Sequence, residues 1–294
     1  METYIDLLRE SAKECGNITC MGLDPKVGTL PLSEENIRTR INAFFQELFH
    51  RMKIEGVIPA AFKPNIGYYS ALDAPRDSNF LGSEALSDVL DMLEVFFPGV
   101  PVILDSKRGD IATSSANYAE EAFTSWGADA VTVSPYMGND SVFPFAKEGK
   151  GVYMLNRTSN PGGAELQNLT VIDPIDEKEN YPLYIAVAHQ IAAYSNQHKG
   201  IGAVVGATNM AELKDIAAYY SDKEVPLLIP GVGSQGGSAP EVIGALKEIG
   251  YPIELARINS SSGLTHPWKK GPAPEDWLDL SLSAVRKLLA ETAL

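Results

Sequence analysis

Short apolar runs recur along this chain, separated by longer stretches in which apolar positions return every three or four residues. The runs fall at Ile18–Asp24, Ile58–Pro64, Val100–Lys107, Ala128–Pro135, Gly151–Thr158, Gly200–Ala207, Val225–Gly233 and Ile253–Ser261. They are rich in Val and Ile, and several are nearly continuous, as strands buried on both faces of a parallel sheet are. Between them, Glu34–Glu55 carries Ile37, Ile41, Phe44, Phe45, Leu48 and Met52 at helical spacing. Glu84–Phe97, Ser114–Trp126, Tyr184–Asn196, Met210–Tyr219 and Pro240–Ile249 follow the same rule, and a closing helix is predicted near Glu275–Leu289. Eight strands alternating with helices predict parallel βα units. Closed into a ring they form a (β/α)8 barrel, although an open doubly wound sheet has the same periodicity. No linker divides the chain, so residues 1–294 read as a single domain. The polar stretch Ser159–Pro182 reads as a loop or lid over an active site.

The length of 294 residues, 45% of them hydrophobic, is enough for one large core, and an α/β barrel needs about 250 residues. The net charge of −14 repels a phosphate backbone, so no nucleic-acid partner is expected. A local basic pocket for a small anion is still compatible with it. Cys15 and Cys20 have no C-x-x-C spacing and no second pair to complete a zinc site; as free thiols they fit a reducing cytosol. The N-terminal METYIDLLRE lacks a basic and then an apolar region, and no run is long enough to span a membrane. A cytoplasmic protein without a membrane partner is expected.

Chemistry on a barrel sits at the carboxyl ends of the strands. There the sequence places Asp24, Lys63, Asp105 with Lys107, and, just beyond, Asp110. Asp105 and Lys107 are two apart on one strand, so both side chains face one side. Buried charges need partners, and alternating Asp and Lys provide them. The same residues could serve only as a register-fixing ion-pair network, but charge gathered at the catalytic face is costly without a use. The fifth strand ends in Arg157, Thr158, Ser159 and Asn160, and the eighth in Asn259 to Ser262. After the seventh comes Gly231–Gly237 (GVGSQGG), whose glycines let backbone N–H groups approach a phosphate and whose Gln235 adds an amide. His50, His189, His198 and His266 share no metal-ligand spacing and read as structural or surface residues. No P-loop, G-x-S-x-G or H-E-x-x-H is present.

The segment Leu104–Ile111 (LDSKRGDI) resembles the D-x-K-x-x-D-I signature of orotidine 5′-phosphate decarboxylases. MGLDP, AFKPN, SPYMGNDSVFPF, LNRTSNPGGAELQ, VVGAT and PGVGSQGG follow the order of the longer bacterial branch of that family along nearly the whole chain. D-x-K-x-x-D alone is shared by related sugar-phosphate barrels, whereas RTSNPG with PGVGSQGG is far more specific. The resemblance implies conversion of orotidine 5′-monophosphate (OMP) to UMP and CO2, the last step of de novo UMP synthesis, without metal or cofactor. It implies that Lys107 protonates C6 of the pyrimidine and that Asp105 lies against the departing carboxylate. Lys63 would bind the ribose and hold the charge cluster, and Asp24 would bind the ribose. Ser159 would contact the pyrimidine, and Gln235, with Gly236 beside it, would grip the phosphate. Asp110 and Ile111 would reach into the neighbouring subunit of a homodimer.

Two positions depart from that pattern. Where the family has an arginine for the phosphate, in N-S-S-R-G, this chain has Asn259–Gly263 (NSSSG), with Ser262 at the arginine's place. Either a serine and backbone amides suffice, or another cation substitutes: Arg157, Lys269 and Lys270 are candidates, and Arg257, five residues back on the same strand, is one only if the loop folds over, since it lies toward the barrel's other end. Ser114 stands where the family has threonine and keeps the hydroxyl. The rival readings are a metal-dependent relative, such as a keto-gulonate phosphate decarboxylase or hexulose-phosphate synthase, and a catalytically silent sugar-phosphate binder.

Overall fold

The computed structural model describes residues 3–173, 180–233 and 236–294. All eight apolar runs form strands: β1 (Thr19–Gly22), β2 (Ala61–Lys63), β3 (Ile103–Arg108), β4 (Ala130–Val133), β5 (Gly151–Arg157), β6 (Ile201–Val205), β7 (Leu227–Ile229) and β8 (Ala256–Ser260). They make one sheet, ordered β2-β1-β8-β7-β6-β5-β4-β3, in which each paired neighbour is parallel. Parallel bridges Phe62–Val102 and Asn65–Asp105 join β2 to β3 and close the ring. Phe62 N there donates to Pro101 O (3.0 Å), and Asp105 N to Pro64 O (2.9 Å). The fold is therefore the expected (β/α)8 barrel and not an open sheet. The strands are shorter than the apolar runs because the runs continue into buried loops. Ile253–Leu255, for instance, is a 3-10 turn leading into β8.

The surrounding helices match the helical patterns to within a few residues. Asn36 starts the helix Ile37–Ile54 by accepting from Thr39 N, and its apolar stripe, Ile41 to Met52, is buried against the barrel. Burying a side chain of this size contributes roughly 1.5–3 kcal/mol, so such stripes fix the helix faces more strongly than intrinsic propensity does. One predicted helix begins at Ala112 and ends in a π-helical turn, Glu121–Ser125.

The stretch read as an irregular loop is partly structured. It contains a 3-10 turn (Pro161–Gly163), a short helix (Ala164–Gln167) and an antiparallel pair, Thr170–Ile172 with Asn180–Pro182. At the amino-terminal end of the strands, the helix Tyr4–Cys15 lies across the barrel floor. A capping box between Thr3 and Asp6 opens it, and Gly16 in the left-handed conformation closes it. Tyr4 Oη donates to Tyr153 Oη of β5 (3.1 Å) inside the floor.

Candidate active site

The site begins at a break in the β3–β4 ladder. Leu104 pairs with Val131, but the next pairing is Arg108 with Val133, so three residues of β3 face one of β4. The bulge holds Asp105, Ser106 and Lys107. Its backbone donors are met by a side chain: Thr132 Oγ1 accepts from Ser106 N (3.1 Å) and Lys107 N (3.0 Å) and donates to Asp105 Oδ1 (2.9 Å). Lys107 itself sits at φ +45°, a left-handed conformation that costs a non-glycine residue about 1–2 kcal/mol. Bulges and backbone strain gather where a side chain has to be re-aimed. Here they aim Lys107 Nζ at Asp105 Oδ1, 2.5 Å away. Simple strand alternation put both residues on one face; the bulge is what brings their charges into contact.

Lys63 Nζ, at the end of β2, takes the other oxygen of Asp105 at 2.7 Å. Lys63 and Asp105 are both buried, whereas the Lys107 side chain keeps 49% of its surface exposed. Burial alone would lower the pKa of Lys63, but the Asp105 and Asp24 carboxylates outweigh it and hold the ammonium charged well above its ordinary range. Burial alone would likewise raise Asp105, and the two lysines outweigh it, keeping the carboxylate ionised far below the ordinary range. Asp24 Oδ1 accepts from Asn65 N (3.1 Å), which ties the loop after β1 to the loop after β2.

These groups line a cavity of about 430 Å3 with Thr158, Ser159, Asn160 and Asn259, against apolar walls from Leu155, Val204 and Leu228. A second lobe of about 190 Å3 adjoins it and shares Asp24, Pro230, Asn259 and Ser261. Ser260, Ser262, Lys26 and His266 belong to this smaller lobe. Two glycines let the lobes form. A side chain on Gly22 would lie 1.8 Å from Ser261 Oγ, and one on Gly206 would meet Ser159 Cα at 2.8 Å.

Asp24, Lys63, Asp105, Lys107, Ser159 and Ser262, all singled out from sequence, thus meet around one cavity. Asp110, Ile111, Ser114 and Gly236 do not line it. Asp110 Oδ1 accepts from Ile111 N (2.7 Å), and Ile111 is exposed. Gly236 is exposed at φ +96°. Gln235 lies outside the described residues.

None of the four candidate cations lines the smaller lobe. Arg157 is held by Glu212 (2.7 Å) and Gln167 (2.9 Å). Arg257 is fully buried at the barrel floor, where burial lowers its pKa; it donates to the carbonyls of Ala60, Leu8, Glu254 and Ala256. Lys269 and Lys270 are exposed in a loop. His266, read from sequence as structural, does line the lobe, and so does Lys26, which the sequence reading passed over. Thr132 was also missed, because a lone threonine inside an apolar run carries no signal of a bulge. Cys20 is buried, its thiol pushed up to about 12 chiefly by burial, so it belongs to the core and not to the chemistry.

Fold and site together define a (β/α)8-barrel enzyme whose chemistry rests on an ammonium–carboxylate chain at the carboxyl ends of its strands. Residues 62–249 match the family described as orotidine 5′-phosphate decarboxylase / HUMPS. The chain is 40% identical over 266 residues to the orotidine 5′-phosphate decarboxylase of Variovorax paradoxus, covering 90% of each chain. It superposes on the OMP decarboxylase of Leishmania donovani with a TM-score of 0.74 and 31% identity, covering 99% of this chain and 97% of that one. Against the longer UMP synthase of the same organism the TM-score is 0.78 and the identity 32%; the match covers 99% of this chain but 56% of that one. The chain belongs to the orotidine 5′-phosphate decarboxylase family, a family of carboxy-lyases.

Proposed function

We propose that the protein decarboxylates OMP to UMP, with Lys107 as the proton donor and no metal. The observation that carries this reading is the chain Lys63–Asp105–Lys107, in which both oxygens of one buried carboxylate are taken by ammonium groups. When CO2 leaves, the electron pair of the broken bond remains at C6 of the pyrimidine. An ammonium fixed beside C6 stabilises that pair, delivers its proton and is re-protonated from solvent. Asp105 is unfavourable beside the substrate carboxylate and less so beside neutral CO2, so the ground state is raised relative to the transition state. Asp105 accepts from three donors, Lys63 Nζ, Lys107 Nζ and Thr132 Oγ1, an environment that favours a role among protons over one as a metal ligand.

In this reading the pyrimidine occupies the larger lobe beside Ser159, the ribose lies between Asp24 and Lys63, and the phosphate enters the smaller lobe beside Ser262. Gln235 and Gly236 are assigned to the phosphate by the family resemblance alone. Asp110 and Ile111 complete the site of a second subunit in a homodimer. Support for that comes from the exposed side chains of Ile111 itself and of Tyr136 and Met137, on two loops that approach each other at Gly109 and Ser134, since exposed apolar side chains are what a subunit interface covers. Cytoplasmic location fits the two unpaired cysteines. Among the described residues no helix is long and apolar enough to cross a membrane.

The test is turnover of OMP in the presence of a chelator, by wild type and Lys107→Ala. Turnover by the wild type and a loss of roughly 10⁴-fold in the variant are expected, the combined scale of a lost general acid and a lost charge. Turnover that appears only on adding magnesium would assign the protein to a metal-dependent relative instead.

A further inference from the structure

The smaller lobe poses a problem of charge. A phosphate dianion needs cations, position 262 offers only a hydroxyl, and the chain carries a net charge of −14. Of the cations named from sequence, Arg157 is ion-paired, Arg257 is at the opposite end of the barrel, and Lys269 and Lys270 lie outside the cavity. Lys26, in the loop directly after β1, lines the lobe together with Ser261 and Ser262. Its backbone is fixed, since its carbonyl accepts from Thr29 N (2.8 Å) and Thr29 Oγ1 (2.7 Å). Its ammonium has no ion-pair partner among the described residues.

His266 lines the same lobe and is largely buried. Its Nδ1 is bonded to Thr265 Oγ1 (2.9 Å), while Nε2 has no partner among the described residues. Burial first, and then the positive charge of Lys26, lowers its pKa, and both groups line the one lobe.

We propose that Lys26, with His266 beside it, holds the 5′-phosphate of the substrate in place of the arginine that the family carries at position 262. This rests on the reading of the protein as an OMP decarboxylase. The cation thus enters from the first strand's loop instead of the eighth's. Lys26 and Lys107 stand in opposite lobes with Asp24 between them, the linear order of phosphate, ribose and base. A lysine supplies a point charge and not a planar fork, so its phosphate contact is made by charge more than by paired geometry.

The experiment compares OMP kinetics and the binding of UMP and uridine by calorimetry in wild type, Lys26→Gln, Lys26→Arg and Lys26→Gln/Ser262→Arg. Loss of one charge-assisted bond predicts that Lys26→Gln raises KM for OMP and Kd for UMP roughly 10–100-fold. The preference for UMP over uridine should shrink by the same factor. Lys26→Arg should keep most of the affinity, and arginine at position 262 should restore most of it to the double variant. An active Lys26→Gln enzyme with KM and UMP affinity within about twofold of wild type overturns the proposal and leaves the decarboxylase reading intact. A wild type that binds UMP no better than uridine overturns it as well. Wild type that binds UMP through Lys26 but releases no CO2 from OMP supports the phosphate contact and removes the decarboxylase.

Discussion

The two ends of this barrel both bury charge, and they use it differently. At the floor, Arg257 spends four of its five N–H donors on main-chain carbonyls and has no carboxylate partner among the described residues. At the mouth, Asp105 is shared by Lys63 and Lys107, and Lys107 stays half exposed on a strained backbone. The floor cation stitches the first helix to the start of β8 and has almost nothing left to offer a ligand. The mouth keeps an ammonium that can still give up a proton. Burial alone does not separate a structural charge from a catalytic one; unspent hydrogen-bonding capacity in an accessible cavity does.

The comparison can be broken most forcefully from below. Arg257→Met leaves buried carbonyls without donors, and a loss of about 3–5 kcal/mol in unfolding free energy is expected from urea midpoints. The folded fraction should keep its kcat, and a matching fall in kcat would mean that the floor takes part in the chemistry.

Thr132→Val tests the mouth with a smaller effect. It strands two backbone N–H groups of the bulge and removes one of the two donors to Asp105 Oδ1, so stability should fall by about 2–3 kcal/mol and kcat by roughly 10–100-fold as Lys107 loses its aim. Unaltered kcat would mean that the bulge is not what positions Lys107.

The gentlest probe is pH. The folded pKa of Asp105 lies below its unfolded value of about 3.9, so its contribution is present above about pH 4 and lost as pH falls through the folded value. The folded pKa of Lys63 lies above its unfolded value of about 10.4, so its contribution is complete below about pH 10 and lost as pH rises through the folded value. The stability difference between wild type and Asp105→Asn should therefore be flat from about pH 5 to 9 and shrink in stronger acid and in stronger base. A difference that titrates near neutrality would show that the charge chain is not held as described.

Much of this was legible in the sequence because periodicity reports burial. The eight strands and most helices follow from where Val, Ile and Leu recur, and a signature such as LDSKRGDI carries the Asp–Lys pair with it. What was not legible depends on partners distant in the chain. Thr132 is one polar residue in an apolar run, and its meaning comes from the three residues of β3 that it holds. Lys26 reads as an ordinary loop lysine until β1 is set beside β8, which brings it to Ser262 and His266. The place of Arg257, by contrast, follows from strand length: five residues back from the serines it points to the barrel's other end, where its guanidinium meets Ala60 and Leu8. The short elements between Pro161 and Pro182 have too few apolar positions to show a period at all.

The pairing of β1 with β8 also governs the order in which the molecule can be finished. Thr19 waits for Ile258 and Cys20 for Asn259, and the carbonyl of Leu8 waits for the guanidinium of Arg257. Thr19 and Thr292 then join through their hydroxyls. During synthesis the first strand leaves the ribosome with one edge open and keeps it open until nearly the last. Sequence separations this long slow folding, and an open apolar edge invites wrong partners meanwhile. The same ring that shelters the charge chain in the folded enzyme leaves the newborn chain with an apolar edge to protect.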